Sequence, residues 1–106
     1  MFAGHLGVAL AAKSTEPKAP LGALVAASFG IDLIWPILLL AGVESVAVEP
    51  GATAFTPLDF QSYPWSHSLL MVSLWGLLAV GAARALGMSS RVAGILGLVV
   101  VSHWVL

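Results

Sequence analysis

The chain has 106 residues, enough for one domain, and 59% of them are hydrophobic while only 8% are charged. A soluble domain of ordinary composition carries about 25% charged residues. Because small domains bury only roughly 60% of the surface that their unfolded chains expose, we expect the apolar surplus to face lipid. The net charge of −1 gives no electrostatic basis for nucleic-acid binding, and the lack of cysteine excludes disulfides and thiolate metal sites.

Residues 1–12 form a first apolar segment, which ends at Lys13. As a helix, residues 2–12 would extend only about 16 Å, too little for a hydrocarbon core of roughly 30 Å. We therefore predict a short apolar helix that does not span. No positive charge precedes the segment, so we expect it to belong to the mature protein rather than to a signal peptide.

Three later segments are long and apolar, and we predict that each spans the membrane: residues 21–43, 66–86 and 91–106. Pro36 should kink the first of them or end its first half. Ser66, after a proline, is a plausible N-cap for the second. The predicted fold is therefore all-α, an integral membrane helical bundle.

Residues 44–65 lie between the first two spanning helices and are rich in valine and aromatic residues. The segment is too apolar for a flexible linker, so we predict an ordered outer loop that caps the helices. Its acidic residues are expected to be solvated: Glu44, Glu49 and Asp59.

The basic residues indicate the orientation of the chain. All four fall on the same side if residues 21–43 and 66–86 both span: Lys13, Lys18, Arg84 and Arg91. The 44–65 loop has no lysine or arginine. Since short cytoplasmic loops carry the excess of positive charge, we expect the 44–65 loop to lie outside.

Four ionisable side chains interrupt the apolar segments: His5, Asp32, His67 and His103. Counted from the positive ends, their depths are roughly 12, 18, 26 and 18 Å, which places His67 nearest the outer surface. An ionised Asp at the bilayer centre costs about 2.5–3.5 kcal/mol on insertion scales unless it is paired. Imidazole and carboxylate ligands suit a divalent ion, Zn²⁺ first, so the four residues are predicted as metal ligands.

Alternatives to a metal site remain open for these residues. His5 and His103 are each equally consistent with hydrogen-bonded packing groups, and His67 with a solvated loop residue. Of the four residues, Asp32 is the one for which a purely structural role is least expected. No Gly-x-Ser-x-Gly elbow is present, so Ser66 and Ser68 are expected to act as caps or hydrogen-bond donors rather than nucleophiles.

Five motifs occur in order along the chain: Met1-Phe2-Ala3-Gly4-His5-Leu6-Gly7, Asp32-Leu33-Ile34-Trp35-Pro36, Thr56-Pro57-Leu58-Asp59-Phe60, Tyr63-Pro64-Trp65-Ser66-His67-Ser68-Leu69-Leu70 and Ser102-His103-Trp104-Val105-Leu106. Together they resemble bacterial integral membrane proteins described as membrane-bound metal-dependent hydrolases. The resemblance covers essentially the whole chain. It implies an inner-membrane, multi-pass protein with metal ligands at His5, Asp32, His67 and His103. In similar proteins an Asp follows the last motif, four residues after the His.

The resemblance implies a reaction in which a metal-activated water attacks an ester or phosphoester, with Asp32 and His67 as the catalytic residues. An alternative is a non-catalytic membrane module that oligomerises or binds a partner, its polar groups serving as interhelical hydrogen bonds. A third is ion or proton passage through Asp32 and the histidines. Membrane lipid is the expected surrounding, and a bundle this thin is expected to self-associate.

Overall fold

The computed structural model of the chain describes residues 2–106. Met1, the first residue of the predicted 1–12 segment, lies outside them. In chain order the elements are α1 (Phe2–Thr15), α2 (Leu21–Leu40), β1 (Ser45–Val48), β2 (Leu58–Ser62), α3 (Pro64–His67), α4 (Leu69–Ala85), α5 (Ser90–Ser102) and a 3-10 turn (His103–Val105). The prediction of a mainly helical chain is confirmed.

The helices form an elongated bundle of about 45 × 25 × 19 Å. Helix α4 packs along α5, and α2 packs against both α1 and α5. The core between them is built from small and aliphatic side chains such as Ala9, Leu24 and Leu96. Small residues let the helices come close enough for their apolar faces to interlock.

Helices α4 and α5 make their closest approach at two glycines. A Cβ added at Gly97 would lie 3.0 Å from the carbonyl oxygen of Gly76, and a Cβ at Gly76 would lie 3.0 Å from that of Gly97. Neither backbone atom can move aside without separating the helices. The crossing therefore requires glycine on both sides.

Helix α2 passes through Pro36 and ends at Leu40, three residues before the predicted end at 43. Gly42 takes a φ of +70°. The N–H of Gly42 donates to the carbonyl of Leu39, and the N–H of Val43 donates to that of Leu38. This is a Schellman motif, and it stops the helix because the left-handed conformation favours glycine.

The predicted helix over residues 66–86 is interrupted, which corrects the prediction. Ser68 is extended, with φ −73° and ψ 148°, and it separates α3 from α4. Its hydroxyl oxygen accepts a hydrogen bond from the N–H of Met71 at 3.2 Å. Ser68, not Ser66, therefore caps the long helix, which begins at Leu69.

The other two helical predictions differ at their ends. Helix α1 continues beyond residue 12 to Thr15, where the hydroxyls of Ser14 and Thr15 bond back to the carbonyl of Ala11. The predicted 91–106 helix is α-helical only to Ser102 and then tightens into the 3-10 turn.

The all-α prediction is wrong for the 44–65 segment, which holds a two-stranded antiparallel sheet of β1 and β2. Val46 pairs with Phe60 and Val48 pairs with Leu58. Apolar and polar residues alternate in β2, where Asp59 separates Leu58 from Phe60, whereas β1 reads Ser-Val-Ala-Val. Strands Ser45–Val48 and Leu58–Ser62 therefore stand where the sequence predicted a loop.

Of the described helices, α2 is the one whose length and composition allow it to cross a membrane. Helix α4, and α5 taken with its 3-10 turn, are shorter apolar helices.

Candidate metal centre

Three of the predicted ligands meet at the end of the bundle next to the sheet. One oxygen of the Asp32 carboxylate lies 3.4 Å from Nε2 of His5, and the other lies 3.4 Å from Nε2 of His103. One ligand atom from each of these three residues can be chosen so that all three atoms lie within 4.8 Å of one another. Three distant parts of the sequence, α1, α2 and the last turn, therefore converge on one point.

The two histidines are held by the packing of the helices. Their rings stack with centroids 4.3 Å apart and planes 6° apart, and Phe29 meets the His5 ring edge-on at 5.4 Å. His5 is 2% exposed and His103 is 6% exposed. The Asp32 side chain is 36% exposed, which leaves the carboxylate as the accessible member of the set.

The orientation of the His103 ring is fixed by the backbone of α2. Its Nδ1 lies 3.2 Å from the carbonyl oxygen of Ser28. A carbonyl oxygen only accepts, so Nδ1 carries a proton, and in the neutral ring Nε2 is then the nitrogen with a free lone pair. Nε2 is also the nitrogen that faces Asp32. An outer hydrogen bond of this kind fixes the tautomer of metal-binding histidines.

His67 lies beside this set but is not part of it. Its ring is 5.2 Å from the His103 ring between centroids, at 63°. It is absent from the group of ligand atoms that lie within 4.8 Å of one another. The prediction of His67 as a fourth ligand therefore stays a prediction.

His67 and the three-residue set share a cavity of about 560 Å³. Aromatic side chains make up much of the wall: Trp35, Phe60, Tyr63 and Trp104. Neither lysine nor arginine lines it. The indole Nε1–H of Trp35 is buried, without a hydrogen-bond partner among the described residues.

His67 is held from behind by Ser66, whose Oγ lies 2.6 Å from His67 Nδ1. Ser66 is itself bound to the carboxylate of Glu44. Burial lowers the pKa of His67, which lies in α3 before the long helix begins, and the neighbouring His103 acts in the same direction. The neutral imidazole is therefore favoured.

The prediction that Glu44 is solvated is wrong, since Glu44 is 4% exposed. Sequence reasoning missed it because its partner Ser66 is 22 residues away and no local pattern links them. Trp35 and Trp104, which the sequence analysis did not single out as site residues, both line the cavity.

The residues at this point fit a divalent metal ion. Tetrahedral ligands about 2.1 Å from a zinc ion lie roughly 3.4 Å from one another, and each oxygen of the Asp32 carboxylate lies 3.4 Å from one of the two histidine nitrogens. The donor set of two imidazoles and one carboxylate leaves a fourth position open, as catalytic zinc sites do. His5, Asp32 and His103 are therefore the residues that would hold the ion.

Comparisons with protein-family models, with curated proteins and with solved structures found no significant match to this chain. The resemblance to membrane-bound metal-dependent hydrolases therefore stays a prediction.

Proposed function

We propose that the chain is an integral membrane protein whose bundle crosses the bilayer. Helix α2 has 20 residues, about 30 Å of helix. Only 17% of its most apolar window is buried inside the protein. Leu33 and Ile37 are each 65% exposed. A core helix of a soluble protein would be covered on such faces, and lipid would cover them here.

In this proposal, helices α4 and α5 also cross the membrane, beside α2. Helix α4 has 17 residues, at the short end of the range for a spanning helix. Its partner α5 is completed by the 3-10 turn to Val105. Leu77 on α4 and Leu98 on α5 are 67% and 70% exposed, which again suits a lipid-facing surface.

The charges orient the bundle. Lys13 and Arg91 lie at the ends of α1 and α5 that face away from the cavity, and Arg91 Nε is 2.6 Å from the buried carboxylate of Glu16. The 44–65 segment, which has no basic residue, lies at the cavity end. The positive end is therefore proposed as cytoplasmic and the cavity as open toward the outer leaflet of a bacterial inner membrane.

We infer that this protein is a membrane-bound metal-dependent hydrolase. The observation that carries the proposal is the Asp32 carboxylate, placed 3.4 Å from Nε2 of both His5 and His103 at the wall of an aromatic cavity. A divalent ion bound there would supply an acidified water as nucleophile. Interhelical packing alone does not require two histidines around an accessible carboxylate.

The chain's own residues divide the remaining work. His5 and His103 would provide two ligand nitrogens beside the Asp32 carboxylate. His67, on the same cavity, accepts the proton of the attacking water at Nε2 and returns it to the leaving alkoxide when the ester C–O or phosphoester P–O bond breaks. The role of His67 as a fourth metal ligand stays a prediction.

The cavity wall suggests the substrate class. With aromatic side chains and no lysine or arginine, it suits the apolar part of an amphiphile. We therefore propose a lipid-derived ester or phosphoester as substrate.

Hydrolysis of a short-chain p-nitrophenyl ester and of bis-p-nitrophenyl phosphate tests the proposal. The detergent-purified chain is stripped with a chelator and measured before and after Zn²⁺ is restored. We expect metal-dependent turnover that His67→Gln lowers by roughly 100-fold or more, the usual contribution of a general base. The matched variant Asp59→Asn, outside the ligand set, should retain the activity. No metal-dependent turnover of either substrate class would contradict the proposal and favour a non-catalytic helical module.

A further inference from the structure

Glu44 is a buried carboxylate in the 44–65 segment, whose other residues are exposed or partly exposed. It follows the Schellman turn of α2 and precedes β1, and it is 4% exposed. One of its oxygens accepts from the N–H of Ser66 at 2.7 Å. The other lies 2.7 Å from the hydroxyl of Ser66, which is itself fully buried. A buried charge is retained only where hydrogen bonds offset its desolvation.

The direction of these hydrogen bonds follows from the donors available. An ionised carboxylate only accepts, so the hydroxyl proton of Ser66 points at Glu44. The carbonyl of Tyr63, 3.5 Å from the same hydroxyl, is too distant to compete. The Ser66 oxygen can then act only as an acceptor toward His67, whose Nδ1 lies 2.6 Å away. Nδ1 of His67 must therefore carry the proton.

We propose that Glu44 is a positioning residue that acts through Ser66 to hold His67 in the Nδ1–H tautomer, with the lone pair of Nε2 available to the cavity. Glu44 does not touch the cavity and is absent from its lining. Its effect passes along the chain of hydrogen bonds from carboxylate to hydroxyl to imidazole. Carboxylates that fix histidine tautomers in this manner recur around metal and catalytic sites.

The functional meaning of this tautomer rests on the proposed hydrolase activity. His67 can act as a base or as a metal ligand through Nε2 only if that nitrogen carries no proton. The tautomer itself does not depend on metal or on turnover. It can therefore be measured in the metal-free chain.

The substitution Glu44→Gln should reverse the hydrogen bonds. The N–H of Ser66 still requires an acceptor, so it holds the amide oxygen of the new side chain in the place of Oε1. The amide NH₂ then faces the Ser66 hydroxyl and donates to it. Ser66 must turn its proton toward His67 Nδ1, which leaves the proton of the neutral ring on Nε2.

Nitrogen-15 NMR of the histidine-labelled, metal-free chain in detergent micelles reads this directly, because a protonated ring nitrogen resonates far upfield of an unprotonated one. The His67 signals are assigned by their loss in His67→Gln. We expect Nδ1–H in the wild type and Nε2–H in Glu44→Gln. Glu49→Gln is the matched control, since it makes the same change in an exposed carboxylate of the same segment, and should match the wild type.

A wild-type His67 protonated on Nε2, or a tautomer unchanged in Glu44→Gln, would overturn the proposal. If Glu44→Gln does not fold, Ser66→Ala replaces it, and both tautomers should then be populated. A persistent Nδ1–H form in Ser66→Ala would likewise overturn it. If the chain is the proposed hydrolase, Glu44→Gln should also lower turnover by about 10–100-fold relative to Glu49→Gln. Absence of hydrolysis alone contradicts the proposed function and leaves the tautomer result standing.

Discussion

The carbonyl oxygen of Ser28 lies 3.2 Å from Nδ1 of His103, across 75 residues of sequence. This hydrogen bond joins the middle of α2 to the turn that follows α5. It leaves Nε2 of His103 as the nitrogen that faces Asp32. The backbone of α2 thereby orients the ring of His103, a predicted metal ligand in the 3-10 turn.

Because Ser28 acts through its backbone, its side chain should be dispensable for metal binding. We predict that Ser28→Ala leaves the affinity for Zn²⁺ within a few-fold of the wild type. His103→Phe keeps a ring of similar shape but removes the nitrogen, and it should weaken binding by more than the roughly 10–100-fold typical of an outer hydrogen-bond partner. Isothermal titration calorimetry in detergent measures both. Equal affinities in the two variants would argue against His103 as a ligand.

The glycine crossing of α4 and α5 makes a prediction about stability. Gly97→Ala should destabilise the protein by about 1–3 kcal/mol because its Cβ would lie 3.0 Å from the carbonyl oxygen of Gly76 and 2.6 Å from a methyl of Val80. Gly94, on the same helix, has open space at its Cβ position. Gly94→Ala is the control and should be neutral or stabilising, since alanine favours the helix. Thermal unfolding followed by circular dichroism compares them, and a Gly97→Ala protein as stable as Gly94→Ala would refute the close crossing.

The membrane orientation can be tested on a chain that has no cysteine of its own. Phe55, in the β1–β2 connection, is 97% exposed, and Lys18 lies in the exposed part of the α1–α2 connection. In intact cells we expect a membrane-impermeant maleimide to label Phe55→Cys, and to label Lys18→Cys only after the cells are broken. Labelling of both variants in intact cells would contradict the proposed topology, and the reverse pattern would invert it.

Ionisable residues inside apolar segments were a strong sequence signal. His5, Asp32, His67 and His103 were predicted to share a site because of their chemistry and compatible depth, and the structure brings ligand atoms of three of them together, those of His5, Asp32 and His103. His67 had been placed nearer the outer surface by the depth estimate but was still predicted as a ligand. A mid-span carboxylate has few structural explanations, which is why Asp32 could be singled out without a structure.

Other features were not predictable because their causes are not local. In the sequence Glu44 looks like an ordinary acidic loop residue. Its hydrogen-bond partner Ser66 is 22 residues later, and only the fold brings the two together. The strands β1 and β2 are 4 and 5 residues long, too short for alternation to stand out from a generally apolar loop. The interruption of the helix at Ser68 could not be predicted because the residues that follow it are apolar, as in a continuous helix. A serine can also occur either at a helix cap or inside a helix, so its presence does not mark the boundary.

The most direct test of the proposed metal centre is the metal content of the purified chain, measured by plasma mass spectrometry beside Asp32→Asn and Asp59→Asn. We predict close to one divalent ion per chain in the wild type and in Asp59→Asn, and nearly none in Asp32→Asn, because the amide loses the charge that neutralises the ion. Equal metal content in Asp32→Asn and the wild type, or no metal in the wild type even after incubation with Zn²⁺, would contradict the site.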